Sequence, residues 1–332
     1  MSGIDCDTVS VSIQRNLLEI PDAHVLDTNK TWNATAQELD VRETEKVWLA
    51  TYSKLCAETV RGRCTEWGLR GLVGGGLVAM GITLGTVLSA ETTCVGKDEM
   101  GDRYECVGEG LRRGLGGVGF VVGFLCAVIT SSLLVTEINL MGGVAAVVWA
   151  RTRSQRRSKG RSRQKYWWLW MLWLWVVVCI ANWVGGAVVG GLITGGNLIS
   201  RAVGDALCAK MRGMTKDSVV TPLISGIVGN FVVGVAYIMT RVGQGAGVGM
   251  GMGLVPAYAF AVIRAGHAAV DGTTVAMVAG MGGCPGVGVW STFGYFVLPV
   301  TFGNVLGVCL LVVPLYFMST PLSDDTLRHA LR

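Results

Sequence analysis

The stretch Ala-Val-Ile-Arg-Ala-Gly-His-Ala-Ala-Val-Asp, residues 261–271, places Arg264, His267 and Asp271 in a strongly apolar neighbourhood. Unpaired charges are costly there, and apolar membrane helices exclude them by default. The three side chains are suited to anion recognition and proton exchange. An imidazole can donate a hydrogen bond or a proton near neutral pH, a guanidinium is a fixed cation, and a carboxylate tunes its neighbours. The other histidines, His24 and His329, lie in the polar ends of the chain. No Cys, His, Asp or Glu spacing suits a metal ion, and no cofactor or catalytic residue is assigned.

The elements that must hold these groups follow from composition. Of 332 residues only 15% are charged and 48 are glycine, with a mean hydropathy of +0.50. Asp, Glu, Lys and Arg are absent from 71–90, 114–136, 166–200, 218–240, 242–263 and 272–323. A bilayer core needs roughly 20 apolar residues in helical form, so the chain reads as an α-helical multi-span membrane protein. No apolar stretch lies near Met1, and no cleavable signal peptide is expected.

Residues 151–165 carry eight Lys or Arg and no acid. Beside a membrane span this reads as a cytoplasmic loop under the positive-inside rule, and not as a nucleic-acid site. Trp167, Trp168, Trp170, Trp173 and Trp175 follow and are expected to anchor the next span at the headgroups. Two spans precede the basic loop, which puts both termini in the cytoplasm. The sequons at Asn29 and Asn33 are then unused. Residues 1–67 form a polar arm whose Trp48, Tyr52, Leu55 and Thr59 suggest a short amphipathic helix. Residues 318–332 form a cytoplasmic tail.

Six spans are expected over 68–90, 113–150, 166–194, 218–241, 253–283 and 287–317. The second is interrupted near Glu137 and the fifth at the Arg264–His267 segment. Irregular backbone at membrane depth requires protein or a water-filled cavity around it, and broken helices in corresponding halves point to a transport site. "GLVGGGLV" (71–78) resembles "GIVGNFVV" (226–233), and "ANWVGG" (181–186) resembles "GNVLGV" (303–308). Three spans repeated as three spans give two inverted halves. The Gly-rich 243–253 is read as a cytoplasmic connection, and 201–217 as an outer one bearing Arg201, Lys210, Arg212 and Lys216.

These motifs resemble the formate–nitrite transporter family. "FVLPVTFGNVLG" (296–307) is similar to its Asn-Leu-Ile-Pro-Val-Thr-Leu-Gly-Asn pattern, and "GNFVV" (229–233) to its Cys-Asn-Trp-Leu-Val stretch. "AFAVIRAGHAAVD" (259–271) resembles its Ala-Phe-x-x-x-Gly-Phe-Glu-His-Ser-x-Ala-Asn segment, and "LLVT" (133–136) its Glu-Leu-Phe-Thr. The resemblance covers roughly 45–317. It implies an aquaporin-like six-span protomer in a homopentamer, passing formate, nitrite, hydrosulfide, acetate or lactate, or their neutral acids. It places His267, Asn230 and Thr136 on the substrate pathway, and Leu134 and Val135 at hydrophobic constrictions.

The sequence departs from the family in four places: Arg264 replaces Gly, Ala265 replaces Phe, Gly266 replaces Glu and Asp271 replaces Asn. Ala265 therefore widens one constriction, which favours lactate-sized substrates. Glu137, at the corresponding break, is expected to form a structural ion pair with Arg264. Lys216 is the candidate vestibule lysine. Cys94 and Cys106, in the loop opposite the basic one, are expected to form a disulfide, while the remaining cysteines read as small apolar fillers. An aquaporin-like neutral-solute channel is the alternative, but no Asn-Pro dipeptide is present for its half-helix caps. An intramembrane hydrolase fits less well, since the Gly160-Arg161-Ser162 triplet sits in the basic loop.

Overall fold

A computed structural model of the chain describes Thr59 and residues 62–90, 95–97, 103–105, 108–158, 167–215, 218–242 and 246–314. Trp48, Tyr52, Leu55, Cys94, Cys106, Lys216 and the carboxy-terminal tail lie outside these residues.

Long apolar runs become helices because a backbone in lipid must satisfy its own polar groups. In chain order α1 is Cys64–Ala90, α2 Glu109–Ile129, α3 Val135–Ser158 and α4 Trp167–Gly195. Then follow α5 at Arg201–Met214, α6 at Val220–Val242, α7 at Ala246–Ile263 and α8 at Ala268–Gly280. The last helix, α9, spans Val289–Val312 with π-turns at Phe293–Val297 and Val308–Val312. Among the described residues α1, α2, α4, α6 and α9 are each long and apolar enough to cross a membrane. The α7–α8 pair, bent by 56°, adds a sixth if taken as one span.

Three expectations change. A short antiparallel hairpin, β1 (Val95–Lys97) with β2 (Arg103–Glu105), joins α1 to α2 with Val95 opposite Glu105. Strands this short leave no periodic signal in a sequence, so the all-helical reading omitted them. The connection after α4 contains α5, whose first turn is capped by Ser200 Oγ accepting from Val203 N–H at 3.4 Å. Most of the Gly-rich 243–253 is also helical, as the start of α7. Glycine weakens helices in water, but in lipid it lets backbones touch. A Cβ on Gly253 would lie 2.9 Å from the Ala236 carbonyl oxygen of α6.

Packing falls into two similar groups, α1 against α2 and α4, and α6 against α7 and α9, with α4 against α8 between them. Small residues make these approaches feasible. A Cβ on Gly75 would collide with the Asn182 carbonyl, and one on Gly119 with the Gly85 backbone.

The interruptions between α2 and α3 and between α7 and α8 use the same bonds. Ser131 and Arg264 both have left-handed backbone, with φ of 52° and 54°. Ser131 N–H donates to the Val128 carbonyl and Arg264 N–H to the Ala261 carbonyl, each three residues back. Ser132 donates to Ala127 and Ala265 to Phe260, each five back. Leu133 then reaches the Arg70 carbonyl of α1, as Gly266 reaches the Ser225 carbonyl of α6.

Candidate functional site

Two asparagines fix where α3 and α8 begin. Asn182 Oδ1 accepts from Val135 N–H at 3.0 Å, while its Nδ2 donates to the Gly71 and Leu133 carbonyls at 2.7 and 2.9 Å. Asn304 Oδ1 accepts from Ala268 N–H at 2.7 Å, and its Nδ2 donates to the Gly226 and Gly266 carbonyls at 2.8 and 3.1 Å. Both are fully buried, so each satisfies backbone groups that no water reaches. Val135 clusters with Ala268, Ala269 and Cys179, which brings the first residues of α3 and α8 together. Helix N-termini carry partial positive charge, so this meeting point favours negative charge.

His267 is the N-cap of α8. Its Nδ1 accepts from Val270 N–H at 3.3 Å. A ring nitrogen that accepts carries no proton, so in the neutral imidazole the proton sits on Nε2. Nε2 is buried with no hydrogen-bond partner among the described residues. Thr136 Oγ1 in the first turn of α3 and Asn230 Oδ1 on α6 are among the other buried polar atoms in that condition. Asn230 Nδ2 donates to the Asn304 carbonyl at 2.9 Å, which ties it to the residue that holds Ala268.

Aromatic rings stand against the histidine. Phe120 of α2 and Phe260 of α7 meet with centroids 4.9 Å apart, and lie 6.2 and 5.1 Å from the His267 ring. Phe124 stacks on Phe120 and meets Tyr237 at 5.1 Å. These phenylalanines escape sequence reasoning because an aromatic in an apolar span looks like ordinary core. Ala265, expected at a constriction, is half-buried, and Phe260 supplies the ring beside His267. Leu134 and Val135 are fully packed, Leu134 against Gly74 of α1.

The expected Arg264–Glu137 ion pair is not formed. Arg264 Nη2 lies 3.2 Å from Glu109 Oε1, with its side chain 58% exposed, whereas Glu137 is buried at 2%. The reason is depth. Glu137 is buried in the first turn of α3, whereas Arg264 stands exposed after the end of α7, where the start of α2 presents Glu109. Glu109 also binds Arg112 and Arg113, so Arg264 joins an existing cluster.

Asp271, 7% exposed, accepts from His267 N–H through Oδ2 at 2.8 Å, closing the first turn of α8. On the same face Thr274 Oγ1 accepts from Lys210 Nζ of α5 at 3.2 Å. Lys210 is open to water, yet the surrounding protein lowers its ammonium pKa, with Arg264 acting in the same direction and Asp271 opposing. A disulfide, Cys208–Cys284, fastens α5 to the segment that follows α8. At a sequence separation of 76, this pairing leaves no local trace in the sequence.

These features describe a helical membrane protein with a polar, helix-terminated centre, the architecture of channels and transporters. A family model described as formate/nitrite transporter matches residues 47–318. The chain belongs to the formate/nitrite transporter family and is a multi-pass membrane protein, not an enzyme. Among solved structures it is similar to a "pentameric formate channel with formate bound", at 17% identity and a TM-score of 0.59, over 77% of this chain and 97% of that one. It is also similar to an "FNT family ion channel", at 16% identity and a TM-score of 0.63, over 84% of this chain and all (100%) of the other. These two likenesses concern the fold. No curated protein matches.

Proposed function

We propose that the protein passes small weak monoacids (formate, nitrite, acetate, lactate or hydrosulfide) across a membrane, with His267 at the centre of the pathway. The carrying observation is the buried, unpartnered Nε2–H of His267 beside Phe120 and Phe260. Leaving such a donor unmade costs about 1–3 kcal/mol, a deficit that a passing carboxyl or nitrite oxygen relieves. Thr136 Oγ1 and Asn230 Oδ1 offer the same relief to a substrate and to the water around it.

The phenylalanines and the Leu134–Val135 pair form apolar constrictions in this reading. A bare carboxylate pays a large ionic desolvation cost there. Protonation is cheaper, because holding an acid of pKa near 3.9 neutral at pH 7 costs roughly 4 kcal/mol, at about 1.4 per unit. The acid therefore crosses the narrowest point uncharged. Its proton comes from the bulk, since protonating His267 Nδ1 would break the cap to Val270.

The matched bonds of Asn182 and Asn304, and of the segments ending α2 and α7, support two inverted three-span halves with broken second and fifth spans. On that topology 151–165 and both termini are cytoplasmic, with 1–67 and 318–332 as inner extensions. Lys210 attracts anions at the outer mouth, aided by Lys216. A Cys94–Cys106 disulfide on the oxidising side belongs to the same reading. The exposed Trp290, Tyr295 and Phe302 of α9 suit contact with lipid or with the other subunits of a homopentamer.

Reconstituted proteoliposomes test this. Uptake of formate and lactate should rise as external pH falls, and nitrate, a strong-acid anion, should pass poorly. Uptake of these acids no faster than in empty vesicles rejects the function.

A further inference from the structure

Asp271 is an acid in the apolar interior, one helical turn after the histidine, and the transport chemistry above does not use it. Its Oδ2 holds the His267 backbone N–H at 2.8 Å, so the carboxyl group is fixed in position. Lys210 Nζ rests on Thr274 Oγ1, three residues along the same face of α8. Thr274 Oγ1 itself donates to the Val270 carbonyl, which leaves its lone pairs for the ammonium. The Cys208–Cys284 disulfide anchors α5 two residues before Lys210, so the helix that bears this cation stays beside α8.

We propose that Asp271 is a specificity-determining residue: its carboxylate balances Lys210 and holds the outer approach to His267 near electrical neutrality, which favours the neutral acid over its anion. The inference rests on the weak-acid reading above and adds the group that sets its selectivity. The other elements packed on α8 leave this balance to the pair. α4 and α9 bring no Asp, Glu, Lys, Arg or His, and α1 has Glu66 and Arg70 in its first turns, seven or more residues from Thr83, which touches Met277. Glu137, buried in the first turn of α3 near the start of α8, is a constant background that the charge cycle below leaves unchanged, and Arg264 is engaged by Glu109. On α5, Lys210 is held against α8 through Thr274, whereas no bond from Arg201, Asp205 or Arg212 to α8 is seen among the described residues.

The test is a charge cycle on the full chain in proteoliposomes, with formate and nitrate as probes at acidic and neutral external pH. Asp271→Asn keeps the shape and an acceptor for His267 N–H but removes the charge. It should raise nitrate influx about fivefold to tenfold and flatten the acid stimulation of formate uptake. Lys210→Met leaves the carboxylate unbalanced and should lower anion influx and steepen the pH dependence. The double variant should return the nitrate-to-formate ratio to that of the wild type. Superimposable ratios and pH profiles for Asp271→Asn and wild type overturn the proposal. Should Asp271→Asn not assemble, a Lys210→Met profile identical to wild type overturns it equally. If the wild type itself shows no weak-acid uptake, the functional reading fails before this cycle begins.

Discussion

In the proposed pathway single side chains around His267 set what passes, and several of them are legible in the amino-acid sequence alone. The histidine, Asn230 and Thr136 stand out as polar groups in apolar spans, and each carries a buried polar atom with no protein partner. Phe120, Phe260 and Lys210 are hidden there, because ring contacts and a lysine folded back onto Thr274 depend on tertiary approach. His267→Phe should leave assembly intact and change flux, selectivity or pH dependence, measured as uptake by reconstituted protein. Unchanged transport by an assembled variant would make His267 purely structural. Arg264→Leu should be mild. Its exposed partner Glu109 keeps Arg112 and Arg113, and such pairs are worth about 0.2–1 kcal/mol, so the thermal midpoint should barely move. A large loss of stability would restore the case for a buried partner.

The helices are positioned by asparagines, glycines and a disulfide, and at this scale the sequence is partly transparent. The paired glycine frames around Gly71 and Gly226, and around Asn182 and Asn304, mark the matched halves. The bonds made by the two asparagines explain why, since each holds one half-helix start and two carbonyls. Asn182→Leu and Asn304→Leu should each cost about 3 kcal/mol or more by stranding buried backbone groups, seen as comparable drops in thermal stability. One tolerated and the other lethal would break the equivalence. Gly75→Ala should destabilise by about 1–3 kcal/mol because the Asn182 carbonyl cannot retreat. Gly68→Ala, with no atom within 4 Å of the added carbon, should be neutral. The start of α7 is opaque because glycine obeys different rules in water and in lipid. Glycine-rich 243–253 has the composition of a loop, yet in lipid a helix is the cheapest way to satisfy that backbone.

The molecule as a whole is organised about the convergence of α3 and α8 at a site that prefers negative charge but is closed by apolar rings. Its membrane class is plain from the charge-free windows, since these match the helix lengths that a bilayer demands. The partner of Arg264 is not, because sequence order says little about which end of a 21-residue helix a later break will reach. In the proposed reading, a polar centre with apolar closures has substrate move with its proton, electrically silent. Formate uptake should therefore acidify the vesicle lumen and remain indifferent to an imposed potassium diffusion potential, followed with an entrapped pH dye in proteoliposomes. Uptake that follows the potential and leaves lumenal pH unchanged would contradict passage of the neutral acid.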